Sequence, residues 1–564
     1  MIVKNKKIEV TYVLLVSILL FLPYYINLDL EIKKDWDLCN SWSLLLKSIV
    51  LEYKTFPFID PWTGGGSSLL SNPNLWFFSP NFLLNLILPI NLSNIISLNI
   101  MTILGYFAAK KYFYSKGVKG DVLCLVSTLF ISCSWFGLHF AEGHVPFRGF
   151  LLFPLVLYYL ENLNPRNFFF LSLLEAFFFL DGGMYPFIFS IVITGLYVIF
   201  GIVNLKETLN LFKKNIQLVI YSFISFFLLV SPKLVPMLID FGDREPHFIR
   251  PMMTLKDIMK SYFWPLQVIS DPVEKSWMLF HEFGSYIGIL SLIIILVSYL
   301  KNKKIIVLNK RFLLLGFLLV LMGTGAFKDG NPYTLLELIP LINNAHVPTR
   351  YLVILMIFYF WLLGFFLQKI SLKKVRYFLM AILLLESIFV RSYTTIKAFE
   401  MESTEARINK LITKTGLNKT IEYGYKPDIY YMKNTSSKDY YDPAKQEKFI
   451  YSNQDGAYFG GIKKNKDQGQ VEIIKYVPNQ IVFKYQGLNS DKVTINANFS
   501  KYWSIRNSDQ ELRESNGLLS VENISGTGFV ILEYSQRYIY FLISLYFLGL
   551  FLYLKEIFYY KRKI

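Results

Sequence analysis

Apolar residues in this chain are gathered into blocks, each bounded by a short polar stretch. A bilayer core takes about 20 apolar residues per helix, somewhat fewer where a segment is shielded. On that rule about twelve blocks qualify as spans, centred on residues 9–27, 92–109, 121–139, 148–161, 167–181, 185–203, 216–236, 284–300, 312–326, 351–368, 377–392 and 538–555. The blocks at 148–161 and 167–181 are short and predict a helical hairpin of uneven depth. Between 393 and 537 the period changes. A helical stretch from Glu402 to Thr415 gives way to alternating runs at Gln470 to Ile474, Gln480 to Tyr485, Lys492 to Asn498, Leu518 to Val521 and Phe529 to Tyr534. Period-two alternation broken by Asn, Gly and Pro predicts an antiparallel sandwich. The expected fold is a multi-span α-helical membrane protein with a mainly-β domain before its last span. Residues 1–392 form the membrane domain with a large first external loop at 28–91, 393–537 the β domain, and 538–564 the last helix and a basic tail.

Composition agrees: 53% of the 564 residues are hydrophobic and only 18% charged, with a mean hydropathy of +0.38. These values exclude a disordered chain and an ordinary water-soluble enzyme. The net charge of +17 would suggest nucleic acid in a soluble protein, but its distribution explains it otherwise. Lys4, Lys6 and Lys7 precede the first span. Every second connection after it is short and basic, as at Lys110 to Lys119, Arg166, Lys206 to Lys214, Lys301 to Arg311 and Lys369 to Arg376, and the tail ends Lys561-Arg562-Lys563. This is the positive-inside pattern of a chain with both termini cytoplasmic and the β domain outside. Nucleic acid drops out as a partner, and the bilayer takes its place. The first span has no small-x-small cleavage site and runs into Pro23, so it reads as an uncleaved anchor. Cys39, Cys124 and Cys133 show neither a disulfide framework nor zinc spacing.

The first external loop holds the most chemistry. Lys34-Asp35-Trp36-Asp37 stands where headgroups meet water, so each carboxylate is either a partly desolvated base, half of a divalent-cation site, or a solvated interfacial acid beside a belt tryptophan. Gly64-Gly65-Gly66 is either a cradle for a sugar or lipid phosphate or a structural turn. No Gly-Lys-Ser/Thr follows it, so no nucleotide cofactor is expected. Ser71-Asn72-Pro73-Asn74 closes the loop. More polar residues gather at the same face: Glu142, His144 and Arg148 after the third span, Asp181 after the fifth, His281 and Glu282 before the eighth, and His346 and Arg350 before the tenth. Singly, such residues are usually structural; together, ionisable groups beside a membrane mark a site. An aspartate base and arginines in that place suit a lipid-linked phosphosugar, the base deprotonating an acceptor hydroxyl while a cation neutralises the departing phosphate.

The run from Asp35 to Pro80, with its acid after the first helix, its Pro57 to Trp62 stretch, its glycine turn and its Asn-Pro before Phe78-Ser79-Pro80, resembles the first external loop of the YfhO-like bacterial membrane proteins of the GT-C glycosyltransferase superfamily. Residues 343–353 look like that family's R-x-P-x-R-aromatic helix entry, with His346 in place of the first arginine. Tyr502-Trp503, Asn516-Gly517 and Gly526 to Tyr534 are similar to its terminal strands. Lys34 stands where a glycine often precedes the acid. The resemblance implies a GT-C fold, a polyprenyl-phosphate-sugar donor, and transfer to a cell-envelope polymer or glycan at the outer face of the cytoplasmic membrane. By position Asp35 is the base and Asp37 its orienting or metal-holding partner, the two forming the candidate divalent-cation site. Glu142, His144, Arg148, Asp181, His346, Arg350, Gly65 and Asn72 are candidate substrate contacts. Two other functions compete: a transporter or flippase for a lipid-linked saccharide, which would place ionisable residues at mid-membrane, where this chain has few, Glu175 and Lys233 being the clearest exceptions, and a non-catalytic envelope-polysaccharide assembly protein.

Overall fold

A computed structural model describes residues 6–28, 35–62, 65–241, 255–267, 280–301, 310–324, 332–336, 347–399, 420–423, 436–439, 470–488, 492–506 and 510–562. The helix expected from Glu402 to Thr415 lies outside these residues. The chain divides into two compact units, one of Met1–Lys33, Asn91–Phe226 and Glu245–Met401, the other of Lys34–Ile90, Phe227–Arg244 and Glu402–Ile564.

Among the described residues, seven helical segments are long and apolar enough to cross a membrane: Lys6–Ile26, Ile90–Ser115, Gly120–Glu142, Ile216–Asp240, Pro348–Leu367, Lys373–Phe399 and Tyr538–Phe558. They mark a membrane-embedded protein. All twelve expected blocks fall on helix, but five carry only Phe153–Glu161, Pro165–Leu180, Met184–Ile199, Ile289–Lys301 and Lys310–Thr324. The longest of these has 16 residues, about 24 Å at 1.5 Å per residue, short of a 30 Å hydrocarbon core. The blocks overrun their helices: 148–161 begins in the 3-10 turn Val145–Leu152, 185–203 runs past Ile199 to the break at Gly201, and 284–300 starts before Ile289.

In the first unit, Gly120–Glu142 is the central segment and its apolar window is wholly buried. It is two helices, Gly120–Ser132 and Ser134–Glu142, separated at Cys133, whose backbone is extended (φ −62°, ψ 155°). Helices Leu352–Leu367 and Lys373–Phe399 pack along it. Large apolar residues outside this core, such as Leu15 and Leu19 on the first helix and Leu385 and Phe389 on Lys373–Phe399, are exposed, as hydrocarbon-facing positions are. Two basic connections are tied down locally: Lys110 pairs with Glu9, which also accepts from the Tyr106 hydroxyl, and Lys116 pairs with Glu161.

The second unit contains the β domain. Its strands are β1 (Ile59–Asp60), β2 (Ser67–Ser68), β3 (Thr420–Tyr423), β4 (Ser436–Asp439), β5 (Gln470–Val477), β6 (Gln480–Leu488), β7 (Lys492–Asn498), β8 (Trp503–Ile505), β9 (Glu511–Ser515), β10 (Leu518–Glu522) and β11 (Gly526–Tyr534). Two antiparallel sheets, β7-β10-β9 and β5-β6-β11-β8, share one core that includes Phe483, Ile495, Leu519, Val521, Val530 and Leu532. The expected strands are present, and β8 and β9 add to them. Asn516 (φ 53°) and Gly517 (φ 76°) make the β9–β10 turn, the Asn-Gly pair that a tight hairpin with positive φ at both positions favours.

The segment expected as an external loop at 28–91 is not loop throughout. Asp35–Leu51 is a helix, with Trp36, Trp42, Leu45, Leu46 and Ile49 buried. Its interspersed Asn40, Ser41 and Ser43 keep it from reading as an apolar block. Downstream, the segment is stitched to the sandwich. The Asn479 amide donates to Thr55 Oγ1 (3.0 Å) and the Phe56 carbonyl (2.6 Å), the Tyr476 hydroxyl to the Pro61 carbonyl (3.3 Å), and the Asn498 amide N–H to the Gly65 carbonyl (2.8 Å). Lys233 is buried in a helix, where its Nζ donates at 2.7 Å to the carbonyls of both Pro73 and Leu75. Its charge thus holds a loop in place.

Candidate functional site

Helix Ser134–Glu142 ends at Gly143, whose left-handed backbone (φ 107°) suits glycine and whose N–H donates to the His139 carbonyl. Glu142 therefore lies in the last turn and His144 just beyond it, before a 3-10 turn, Val145–Leu152, that carries Arg148. A second 3-10 turn, Phe280–Glu282, presents His281 and Glu282. A third, Pro348–Tyr351, presents Arg350 at the mouth of Leu352–Leu367. Gly284 lets the second turn approach the helix: a Cβ there would run into Leu138 Cδ1 and would lie 2.7 Å from Gln267 Oε1 and 2.8 Å from the Phe280 carbonyl.

The three turns bring together His139, Glu142, His144, His281, Glu282 and Arg350, none more than 9% exposed. Arg350 grips the Glu282 carboxylate with a fork, Nε to Oε2 at 2.7 Å and a terminal nitrogen to Oε1 at 2.6 Å. The Thr349 hydroxyl donates to the Glu282 carbonyl at 2.8 Å, so backbone and side chain of Glu282 are both held. The Arg350 guanidinium also lies over the rings of Tyr185 (4.2 Å) and Phe147 (4.7 Å). His281 sits between two carboxylates, Nε2 at 3.3 Å from Glu282 Oε1 and Nδ1 at 3.6 Å from Glu142 Oε2. His139 and His144 face each other Nδ1 to Nδ1 at 2.7 Å. Burial alone would raise the Glu282 carboxyl, but the Arg350 guanidinium and His281 outweigh it and hold it well below the usual carboxylate range. Glu282 is a carboxylate at neutral pH. One ligand atom from each of His144, His281 and Glu282 lies within 4.8 Å of the others, so these three could hold a metal ion.

Deeper in the same unit, Arg148 and Asp181 form a second pair. Arg148 donates from Nε to Oδ2 at 2.5 Å and from a terminal nitrogen to Oδ1 at 2.7 Å, while its other terminal nitrogen donates to Ser97 Oγ at 2.7 Å. Both side chains are buried to within 1%. All three guanidinium nitrogens are thus engaged inside the protein, which suits a residue that positions the turn beginning at Val145.

Of the residues expected from the sequence, Glu142, His144 and Arg350 meet in one cluster, and Arg148 and Asp181 pair with each other. Asp35, Gly65 and Asn72 belong to the second unit. Asp35 opens the helix Asp35–Leu51 and is half-buried, where the helix N-terminus favours a carboxylate. Gly65 (φ 81°) turns the loop and accepts from Asn498, while Asn72 Oδ1 accepts from the Asn74 N–H at 3.0 Å. The Asp37 side chain and His346 lie outside the described residues. The sequence places His281 and Glu282 among the polar residues gathered at one face but names neither them nor His139 as a substrate contact, although His281 and Glu282 complete the cluster. One signal for them exists: three of only five histidines in the chain meet at this point. The chain matches no family model, no curated protein and no solved structure.

Proposed function

We propose that the protein is an integral-membrane glycosyltransferase that moves a sugar from a polyprenyl-phosphate donor to a cell-envelope polymer or glycan at the outer face of the cytoplasmic membrane. One observation carries the reading: two carboxylates, three imidazoles and a guanidinium, drawn from the end of one helix and two 3-10 turns of a helical membrane unit, converge in one buried cluster. Groups of this kind are expensive beside a bilayer, and chemistry is the usual reason they are kept there. Transfer from a lipid phosphate needs a base for the acceptor hydroxyl and positive charge for the departing phosphate. Asp35 is the proposed base. Arg350 and His281 are the proposed phosphate contacts, Glu142 and His144 the proposed sugar contacts, and Arg148 with Asp181 a positioning pair. The test is incubation of the purified chain with radiolabelled polyprenyl-phosphate sugar and envelope polymer. Wild type transfers label to the polymer, and Asp35→Asn lowers the rate by about 10²-fold or more. A wild-type protein that leaves the donor intact overturns the proposal, and an Asp35→Asn protein that transfers at full rate removes Asp35 from it.

A transport reading draws support from a different observation. Glu175 and Arg391 are ionisable residues set within helices of the membrane unit, Glu175 accepting from Ser190 and Arg391 fully buried, and such groups mark substrate paths in transporters. Liposomes separate the two, because a transporter relocates the labelled lipid without consuming it.

A further inference from the structure

We infer that His144, His281 and Glu282 form a site for a divalent transition-metal ion of the zinc class, with His139 and Arg350 orienting its ligands. The ligand chemistry selects the ion. Two imidazoles and one carboxylate suit zinc and its first-row neighbours, whereas calcium and magnesium take oxygen ligands. The spacing is close to what is needed. Ligand atoms around a tetrahedral zinc, at about 2.0–2.1 Å from it, stand roughly 3.3 Å from one another. The three present here lie within 4.8 Å, so side-chain rotations that draw them together by at most about 1.5 Å close the site.

The surrounding groups are those that metal ligands need. A ligating histidine gives its second ring N–H to an acceptor, which fixes its tautomer. The 2.7 Å approach of His139 Nδ1 to His144 Nδ1 leaves room for one proton between them. With that proton on His144, its Nε2 carries the lone pair that a metal requires. His139 then carries its own proton on Nε2, an atom that is fully buried and has no hydrogen-bond partner among the described residues. A wholly buried imidazole whose visible task is to accept from His144 is what a ligand-orienting residue looks like. His281 has a carboxylate beside each ring nitrogen, so binding through one nitrogen leaves the other facing a proton acceptor. An ionised carboxylate offers about four lone-pair sites, and Arg350 takes one on each oxygen of Glu282, which orients the group and leaves lone pairs for an ion. The backbone is fixed at both contributing turns, by the Gly143 cap and by the Thr349 bond to the Glu282 carbonyl.

The inference concerns the same cluster as the glycosyltransferase reading but stands whether or not that reading holds, and its test needs no activity. The full chain, purified in detergent without a histidine tag, is stripped with a chelator, dialysed and titrated with Co²⁺, then with competing Zn²⁺. One equivalent of Co²⁺ binds and gives the intense visible bands of a four- or five-coordinate ion, and one equivalent of Zn²⁺ abolishes them. His139→Asn weakens binding roughly 10–100-fold, as loss of an orienting partner does, and the double variant H144N/H281N removes the bands. Zn²⁺ raises the melting temperature of stripped wild type and leaves that of H144N/H281N unchanged. Two results overturn the inference: stripped wild type that takes up no cobalt, or a double variant that binds it as wild type does. The wild-type titration decides alone should the variants fail to fold.

Discussion

Arg350 closes on Glu282 with one edge of its guanidinium, Nε and a terminal nitrogen donating at 2.7 and 2.6 Å, while Thr349, its chain neighbour, holds the Glu282 carbonyl. Residues 68 positions apart are thus locked by side chain and backbone together. Glu282→Gln keeps the shape and removes the charge, which leaves a buried guanidinium unneutralised. Breaking one half of such a pair costs about 3–5 kcal/mol. The expected result is a large fall in melting temperature in detergent, with Arg350→Lys falling less because it keeps the charge and loses only the fork. The double variant E282Q/R350M should lose less than the two single losses added together.

The Arg148–Asp181 pair gives a parallel test with no link to metal. Both side chains are buried to within 1% and Ser97 takes the remaining guanidinium edge. Asp181→Asn should therefore destabilise by about 3–5 kcal/mol, and R148M/D181L should recover much of it, since a buried pair replaced by apolar groups of similar volume is often close to neutral. Thermal unfolding of the two singles and the double settles it. A double variant as damaged as the worse single would show that Ser97 and the turn, rather than the charge pair, depend on Arg148.

What was legible in the sequence and what was not divides on locality. Helix positions follow from apolar blocks, and the strands of the sandwich from period-two alternation, because both patterns are written in neighbouring residues. Span length is less legible: the blocks at 148–161 and 185–203 run on through the 3-10 turn Val145–Leu152 and past Gly201, where no α-helix continues. Asp35–Leu51 is missed because its serines and asparagine interrupt the apolar run, although the fold buries Ser41, Ser43 and Ser48 as completely as Leu45. Glu142, His144 and Arg350 stand out as polar residues at helix mouths. The partnership of Glu142 with His281 needs the 280–284 turn folded onto a helix some 140 positions earlier, and no local pattern carries that. Lys233 reads as a charge stranded in a span until its two carbonyl partners are seen.

Asn479 joins the β5–β6 turn to the segment at Thr55 and Phe56, and it does so from a left-handed backbone (φ 64°). Asn479→Gly keeps the backbone free to adopt that conformation and removes the two amide bonds. Asn479→Ala removes the same bonds and adds the strain of an alanine at positive φ, about 1–2 kcal/mol. Alanine should therefore be the more damaging of the two, and limited proteolysis of residues 35–90 should show it. Equal damage would place the whole effect in the lost hydrogen bonds.

Arg391 gives a prediction of the opposite sign. It is fully buried, none of its three guanidinium nitrogens has a hydrogen-bond partner among the described residues, and its neighbours are the rings of Phe21 and Phe140 at 5.6 and 5.4 Å. Cation–π attraction of about 2 kcal/mol offsets only part of the several kcal/mol that burying such an ion costs. Arg391→Met fills similar space with an unbranched apolar chain and should raise the melting temperature of the purified protein. A lower melting temperature would show that the guanidinium has an anionic partner in the folded protein.

Gly284 tests whether the cluster depends on how closely its turns approach. A methyl group there meets Leu138 Cδ1 on one side and Gln267 Oε1 and the Phe280 carbonyl on the others. The leucine tip can move, but a backbone oxygen at 2.8 Å cannot without displacing the turn. The displaced residues would be Glu282 and His281, two and three positions earlier in the chain. Gly284→Ala should therefore weaken the proposed cobalt uptake while the β domain, in the other unit, keeps its protease resistance. Adding Leu138→Ala should restore little, because the collision with the Phe280 carbonyl remains. Full rescue by Leu138→Ala would mean that side-chain packing alone sets the distance between the helix and the turn.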